Sequence, residues 1–128
     1  MGTFRVECSI ENLLRREKSV NVPDALVETG SEYTWIPSAM LENLGVKREK
    51  KDIAMQMANG QQITRSVGFA IVRVGKEFTV DEVVFGELGD MTLLGARSLE
   101  GLGLRVDPRH KKLVAAGPYL AASSETEI

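Results

Sequence analysis

Asp24-Ala25-Leu26-Val27-Glu28-Thr29-Gly30 is the stretch on which the fold of this chain turns. Ala25-Leu26-Val27 is continuously apolar, the pattern of a short strand covered on both faces. An acid, a β-branched hydroxyl and a glycine follow at once. That order predicts one carboxylate on a sharp turn at a strand end, held from below by Thr29 and Gly30. The triplet occurs once in the chain. If Glu28 does acid–base chemistry of the paired kind, two carboxyls share a proton because like charges so close cannot both ionise. Its partner must then come from a second copy of the chain.

Outward from this turn the chain reads as β-rich. Phe4, Val6, Cys8 and Ile10 alternate with Arg5, Glu7 and Ser9, the period of a half-buried strand. The charged run Arg15-Arg16-Glu17-Lys18 predicts a solvated loop, and Val20-Asn21-Val22 resumes an extended segment that Pro23 is expected to interrupt. Residues 33–36 read as a strand, Pro37 opens a helix over residues 38–44, and Gly45 stops it. Ile53, Met55 and Met57 share one side of a further strand running into Asn59-Gly60, a two-residue hairpin signal. Strands over 63–74 and 77–85 follow, joined at Gly75-Lys76. Leu93-Leu94-Gly95 reads as an apolar strand ending at glycine, followed by a helix over 96–102 and a stop at Gly103. Val106 and Leu113-Val114 supply the last strand pieces.

Thr34-Trp35-Ile36-Pro37-Ser38-Ala39-Met40-Leu41-Glu42-Asn43-Leu44-Gly45 lies without gaps on Thr92-Leu93-Leu94-Gly95-Ala96-Arg97-Ser98-Leu99-Glu100-Gly101-Leu102-Gly103. Each copy reads strand, turn, short helix, glycine stop, which predicts two similar halves about a local twofold axis. Only the first half has an acid at its turn.

A length of 128 residues predicts one domain over 1–118, with a flexible C-terminal tail over 119–128. Sixteen basic against eighteen acidic residues give a net charge of −2, and no basic reading helix or aromatic stacking platform is present, so nucleic acid is not the expected partner. Lys47 to Lys51 reads as a solvated connection. Cys8 is the only cysteine, and no His/Cys cluster has metal spacing, so neither a metal nor another cofactor is expected. Residues 1–6 lack an apolar signal core and no run is long enough to span a bilayer, so a cytoplasmic protein with no membrane partner is expected.

Taken together, these residues resemble the retropepsin-like aspartic proteases, including small bacterial and archaeal relatives of the retroviral enzymes. Ala25-Leu26-Val27-Glu28-Thr29-Gly30-Ser31 sits where that family has an apolar strand followed by Asp-Thr-Gly-Ser/Ala. Met57 to Gln62 fall at its flap hairpin, and Leu93-Leu94-Gly95 matches its second apolar-apolar-Gly signature. The resemblance implies an all-β, closed β-barrel of a single lobe with one or two short helices. It also implies a homodimer acting on an extended peptide or protein substrate. Glu28 then stands in the catalytic position, with Thr29, Gly30 and Ser31 supporting its loop. Ala58, Asn59 and Gly60 form the tip of the flap. In the family two aspartates, one per subunit, hold a water; one takes its proton and the other donates to the oxyanion.

Glutamate in place of aspartate keeps the acid but moves each carboxyl by roughly a bond length. A misplacement of about 1 Å costs on the order of a hundredfold in rate. Weak or absent peptidase activity is therefore expected. The alternative is a noncatalytic dimerisation or peptide-binding module on the same fold. Glu32 and Arg97 resemble a pair that the family joins by an ion pair, with the arginine here one position late. Met55, Met57 and Trp35 are expected in the core rather than the groove, and His110 on the surface without an acid partner.

Overall fold

A computed structural model describes residues 3–118; the tail expected to be flexible lies outside the described residues. The chain is mostly β, with strands β1 (Arg5–Glu11), β2 (Ser19–Val27) and β3 (Thr34–Pro37), helix α1 (Ser38–Asn43), strands β4 (Lys50–Gln56), β5 (Gln62–Val74), β6 (Glu77–Gly86) and β7 (Leu93–Leu94), helix α2 (Ala96–Leu102), and strands β8 (Leu104–Asp107) and β9 (Lys112–Ala115). Strand pairing runs β1-β2-β7-β3-β6-β5 and returns from β5 to β1, so these strands form a ring. β4 stands outside the ring, paired with β5, and β8–β9 make a separate hairpin.

The inward residues of β1 are those its alternation picks out, with Cys8 and Ile10 buried and Arg5 and Glu7 exposed. β2 does not break at Pro23. Val6 faces Ala25 and Cys8 faces Val22, which leaves Glu7 opposite both Pro23 and Asp24. The proline sits in a bulge, where its missing N–H removes no ladder bond, and the strand runs on to Val27. Lys50 and Lys51, expected in a loop, begin β4.

The sequence echo corresponds to a repeated substructure. β2 runs parallel to β7 through Leu26↔Leu93 and Val27↔Leu94, and β6 runs parallel to β3 through Val84↔Trp35 and Phe85↔Ile36. β3 and β7 meet antiparallel at Trp35↔Leu93, which are matching positions of the echo. A residue paired with its own counterpart is what a local twofold axis produces. Both helices end at a left-handed glycine, Gly45 at φ +78° and Gly103 at φ +71°. By this correspondence the place of Glu28 in the second half falls to Gly86, so the fold supplies one carboxylate at the motif, not two.

The larger core gathers Ile10, Ile36, Leu41, Val72, Val83, Phe85 and Leu94 inside the ring. Each contributes about 1.5–3 kcal/mol by leaving water. A smaller cluster of Trp35, Val67 and Val84 lies under the β4–β5 hairpin, with Ile53, Met55, Met57 and Ile63 packed on it. β5 divides accordingly: residues 67–74 pair with β6, whereas residues 62–65 have β4 as their sheet neighbour.

Candidate active site

β2 delivers Glu28 to the point where the strand leaves the sheet. The Glu28 N–H donates to the Leu94 carbonyl at 3.0 Å, the last rung beside β7, and the Ser31 N–H returns to the Glu28 carbonyl at 3.2 Å, closing the turn. The side chain is half-buried. Its Oε2 accepts the Gly30 N–H at 2.9 Å. A Cβ on residue 30 would stand 2.8 Å from that oxygen, so glycine here lets the carboxylate lie against its own turn. Its φ is not among the positive ones, so the turn places no left-handed demand on residue 30. Ser31 Oγ donates to the Tyr33 carbonyl at 2.9 Å, bracing the loop rather than the carboxylate.

The second motif buttresses this loop from behind. Gly95 lies against Tyr33 so closely that the Tyr33 carbonyl oxygen occupies the place of a Cβ. The Ala96 N–H donates to Ser31 O at 2.7 Å and the Arg97 N–H to Glu32 O at 3.1 Å. The Gly95 N–H donates to Thr34 Oγ1 at 3.0 Å. That hydroxyl stands 2.6 Å from Ser98 Oγ, which donates to Asp81 Oδ2 at 2.8 Å. With Ser98 donating to Asp81, the proton between the two hydroxyls belongs to Thr34. Thr34 and Ser98 are fully buried, and this chain satisfies both of them. Sequence spacing gave no sign of Ser98 or Asp81.

A cleft of about 380 Å³ opens in front of Glu28. Leu26, Glu28, Gly30 and Ser31 line one side, Gln56, Met57 and Ala58 the other, and Trp35, Asp90, Met91 and Leu93 the remainder. The expected flap and the expected acid loop thus border one space. Asn59 and Gly60, at the hairpin tip, are not part of its lining. Thr29 faces a different cavity, of about 300 Å³, with Thr3, Phe4 and Val106; Glu28 borders both. Trp35 and Met57 serve core and cleft together.

The tip is a three-residue loop rather than the two-residue turn that Asn-Gly predicted. Met57 N–H donates to Gln61 O at 2.8 Å and Gly60 N–H to Met57 O at 2.9 Å. Gly60 has φ +87°, whereas Asn59 is not among the positive-φ residues. This is a type I turn closed by a left-handed glycine. Either primed two-residue turn would need positive φ at Asn59. Asn59 Oδ1 instead accepts the Gln61 N–H at 2.9 Å.

Asp90 is a second acid on the cleft, and the sequence did not mark it. Arg65 grips it with both arms of the guanidinium, Nε to Oδ2 at 2.7 Å and Nη2 to Oδ1 at 2.9 Å. That grip holds the Asp90 carboxyl below the ordinary aspartate value. Its oxygens are committed to structure, so Asp90 is no free acid for chemistry.

One expected pair is not formed, and one unexpected pair is. Arg97 pairs with Glu82 at 3.3 Å and lies 5.1 Å from the centre of the Tyr33 ring; Glu32 meets it only through the backbone. His110 does have an acid partner, Asp107, at 2.8 Å across one turn of the β8–β9 connection. It remains exposed. Among the described residues no cluster of His, Cys, Asp or Glu could hold a metal ion, and no helix is long and apolar enough to cross a membrane.

The sequence model of the family described as "gag-polyprotein putative aspartyl protease" matches residues 19–101. That span begins with β2, includes the Glu28 turn and the β4–β5 hairpin, and ends in α2. No curated protein matches the chain.

Proposed function

We propose a function from one premise: the chain belongs to the aspartyl protease family of gag polyproteins. It is a retropepsin-like peptidase module whose active site is completed by a second copy of the chain. Glu28 occupies the catalytic position, and activity is weak or absent. The ring of strands serves as the closed barrel of that family. The observation that carries this reading is the single cleft bordered by Glu28 with Ser31 and by Met57 with Ala58 of the hairpin. An extended peptide fits such a space, with its backbone free to pair with a hairpin edge.

Since Gly86 stands where a second acid would be needed, one chain holds half a pair. In a symmetric dimer two Glu28 carboxyls face each other and share one proton. The ionised one takes a proton from water as the water attacks the peptide carbonyl, and the protonated one donates to the developing oxyanion. The added methylene on each side sets this pair out of place, which accounts for low activity.

One observation supports a second reading, a noncatalytic peptide-binding or dimerisation module. Glu28 Oε2 accepts the Gly30 N–H of its own turn, which ties the carboxylate to its own chain. Sedimentation at micromolar concentration and cleavage of peptide libraries at acidic pH test both readings. A dimer in which Glu28→Asp gains cleavage supports the peptidase. A dimer equally inert with either acid supports the noncatalytic module, and a monomer defeats the shared site.

A further inference from the structure

Arg65 and Asp90 join two walls of the cleft that the chain brings together from separate places. Arg65 lies on β5 opposite Ile53 of β4, in the segment of β5 whose sheet neighbour is β4. Asp90 lies on the connection from β6 to β7, beside Met91. Their bidentate contact is mostly shielded, with side-chain exposures of 17% and 11%. The same Asp90 Oδ2 accepts the Glu87 N–H at 2.7 Å, and the Asp90 N–H donates to the Glu87 carbonyl at 2.9 Å. One carboxylate therefore shapes the 87–90 turn and grips the hairpin at once. Arg65 Nη1 is anchored in turn to the Thr64 carbonyl at 2.8 Å, which orients the planar fork.

We propose that Arg65 and Asp90 are positioning residues that set the width of the cleft by fastening the β4–β5 hairpin to the 87–91 loop, so that a ligand side chain is held between Met57 and Met91. The assignment of a peptide to the cleft rests on the function proposed above; the fastening itself does not. The pair acts on the hairpin and leaves the ring untouched, because residues 67–74 of β5 are held by β6 independently. Lysine at position 65 keeps the charge and loses the fork, so it does not replace arginine.

The test measures amide exchange and peptide affinity in Arg65→Ala, Asp90→Asn and the reversed double variant Arg65→Asp/Asp90→Arg. The expected result is exchange faster by about tenfold in the ladder of residues 53–56 with 62–65, and unchanged in residues 67–74. Affinity for a labelled extended hexapeptide with apolar side chains falls by about tenfold, and the reversed pair restores part of both effects. Exchange unchanged in the hairpin, or raised equally through the ring, overturns the proposal. If the unaltered protein binds no peptide, the peptide groove fails while exchange still decides the fastening. Should Arg65→Ala not fold, Arg65→Lys is read in its place.

Discussion

Gly95 has no room for a side chain, because the carbonyl oxygen of Tyr33 stands where its Cβ would be. The obstacle is backbone, and that backbone belongs to the loop that carries Glu28. Gly95→Ala must push the two segments apart, stretching the bond from Ala96 N–H to Ser31 O. A loss of about 3 kcal/mol is expected, read as a shift of the urea midpoint.

Gly30→Ala behaves differently. Its Cβ would meet only the end of the Glu28 side chain, at 2.8 Å, and the backbone there needs no positive φ. The carboxylate can swing away, so stability changes by less than about 1 kcal/mol while Glu28 leaves the Gly30 N–H. Urea unfolding and a crystal structure of the variant check the two halves of this statement.

Thr34→Val keeps the shape of a fully buried side chain and removes the acceptor for the Gly95 N–H. A buried donor left without a partner costs about 1–3 kcal/mol. Denaturant unfolding should show that loss. A neutral result would mean that the Gly95 amide finds another acceptor.

Acid should weaken the fold through two carboxylates. Arg65 holds the Asp90 carboxyl below its ordinary 3.8, and Arg73, aided by Arg16, holds Glu11 below 4.5 against the opposing effect of its burial. Both are therefore better ionised in the folded chain than in the unfolded one. Their stabilisation is complete above those ordinary values and disappears as the pH falls through the lower folded ones. Melting temperatures should hold level down to about pH 5 and fall below about pH 4. Asp90→Asn and Glu11→Gln should each flatten the acid limb.

Burial pushes the Cys8 thiol up to about 11, with Glu7 adding to the effect. The folded protein should resist alkylation by iodoacetamide near pH 8 and react once unfolded. Rapid labelling of the native chain would show that β1 opens locally.

The sequence makes the local elements legible because each has a short-range cause. Alternation along β1, the apolar run before Glu28 and the glycine stops of both helices can be read within a few residues. The β2 bulge is not legible, since it depends on Glu7 lying opposite Pro23 and Asp24 in a neighbouring strand. Glu28 and the hairpin can be read as parts of one site, but Asp90 and Arg65 cannot. Charged residues twenty-five positions apart have no spacing that distinguishes a pair from two solvated side chains. Arg97 shows the converse, a plausible partner at Glu32 displaced by Glu82, which the β6 register brings within 3.3 Å.

β4 and the first residues of β5 extend the sheet beyond the ring as a cantilever, and Arg65 lies near its root. A beam clamped there deflects most at its free end, so compliance should concentrate at Ala58, Asn59 and Gly60. The ring that carries Glu28 should then stay still while the hairpin tip bends.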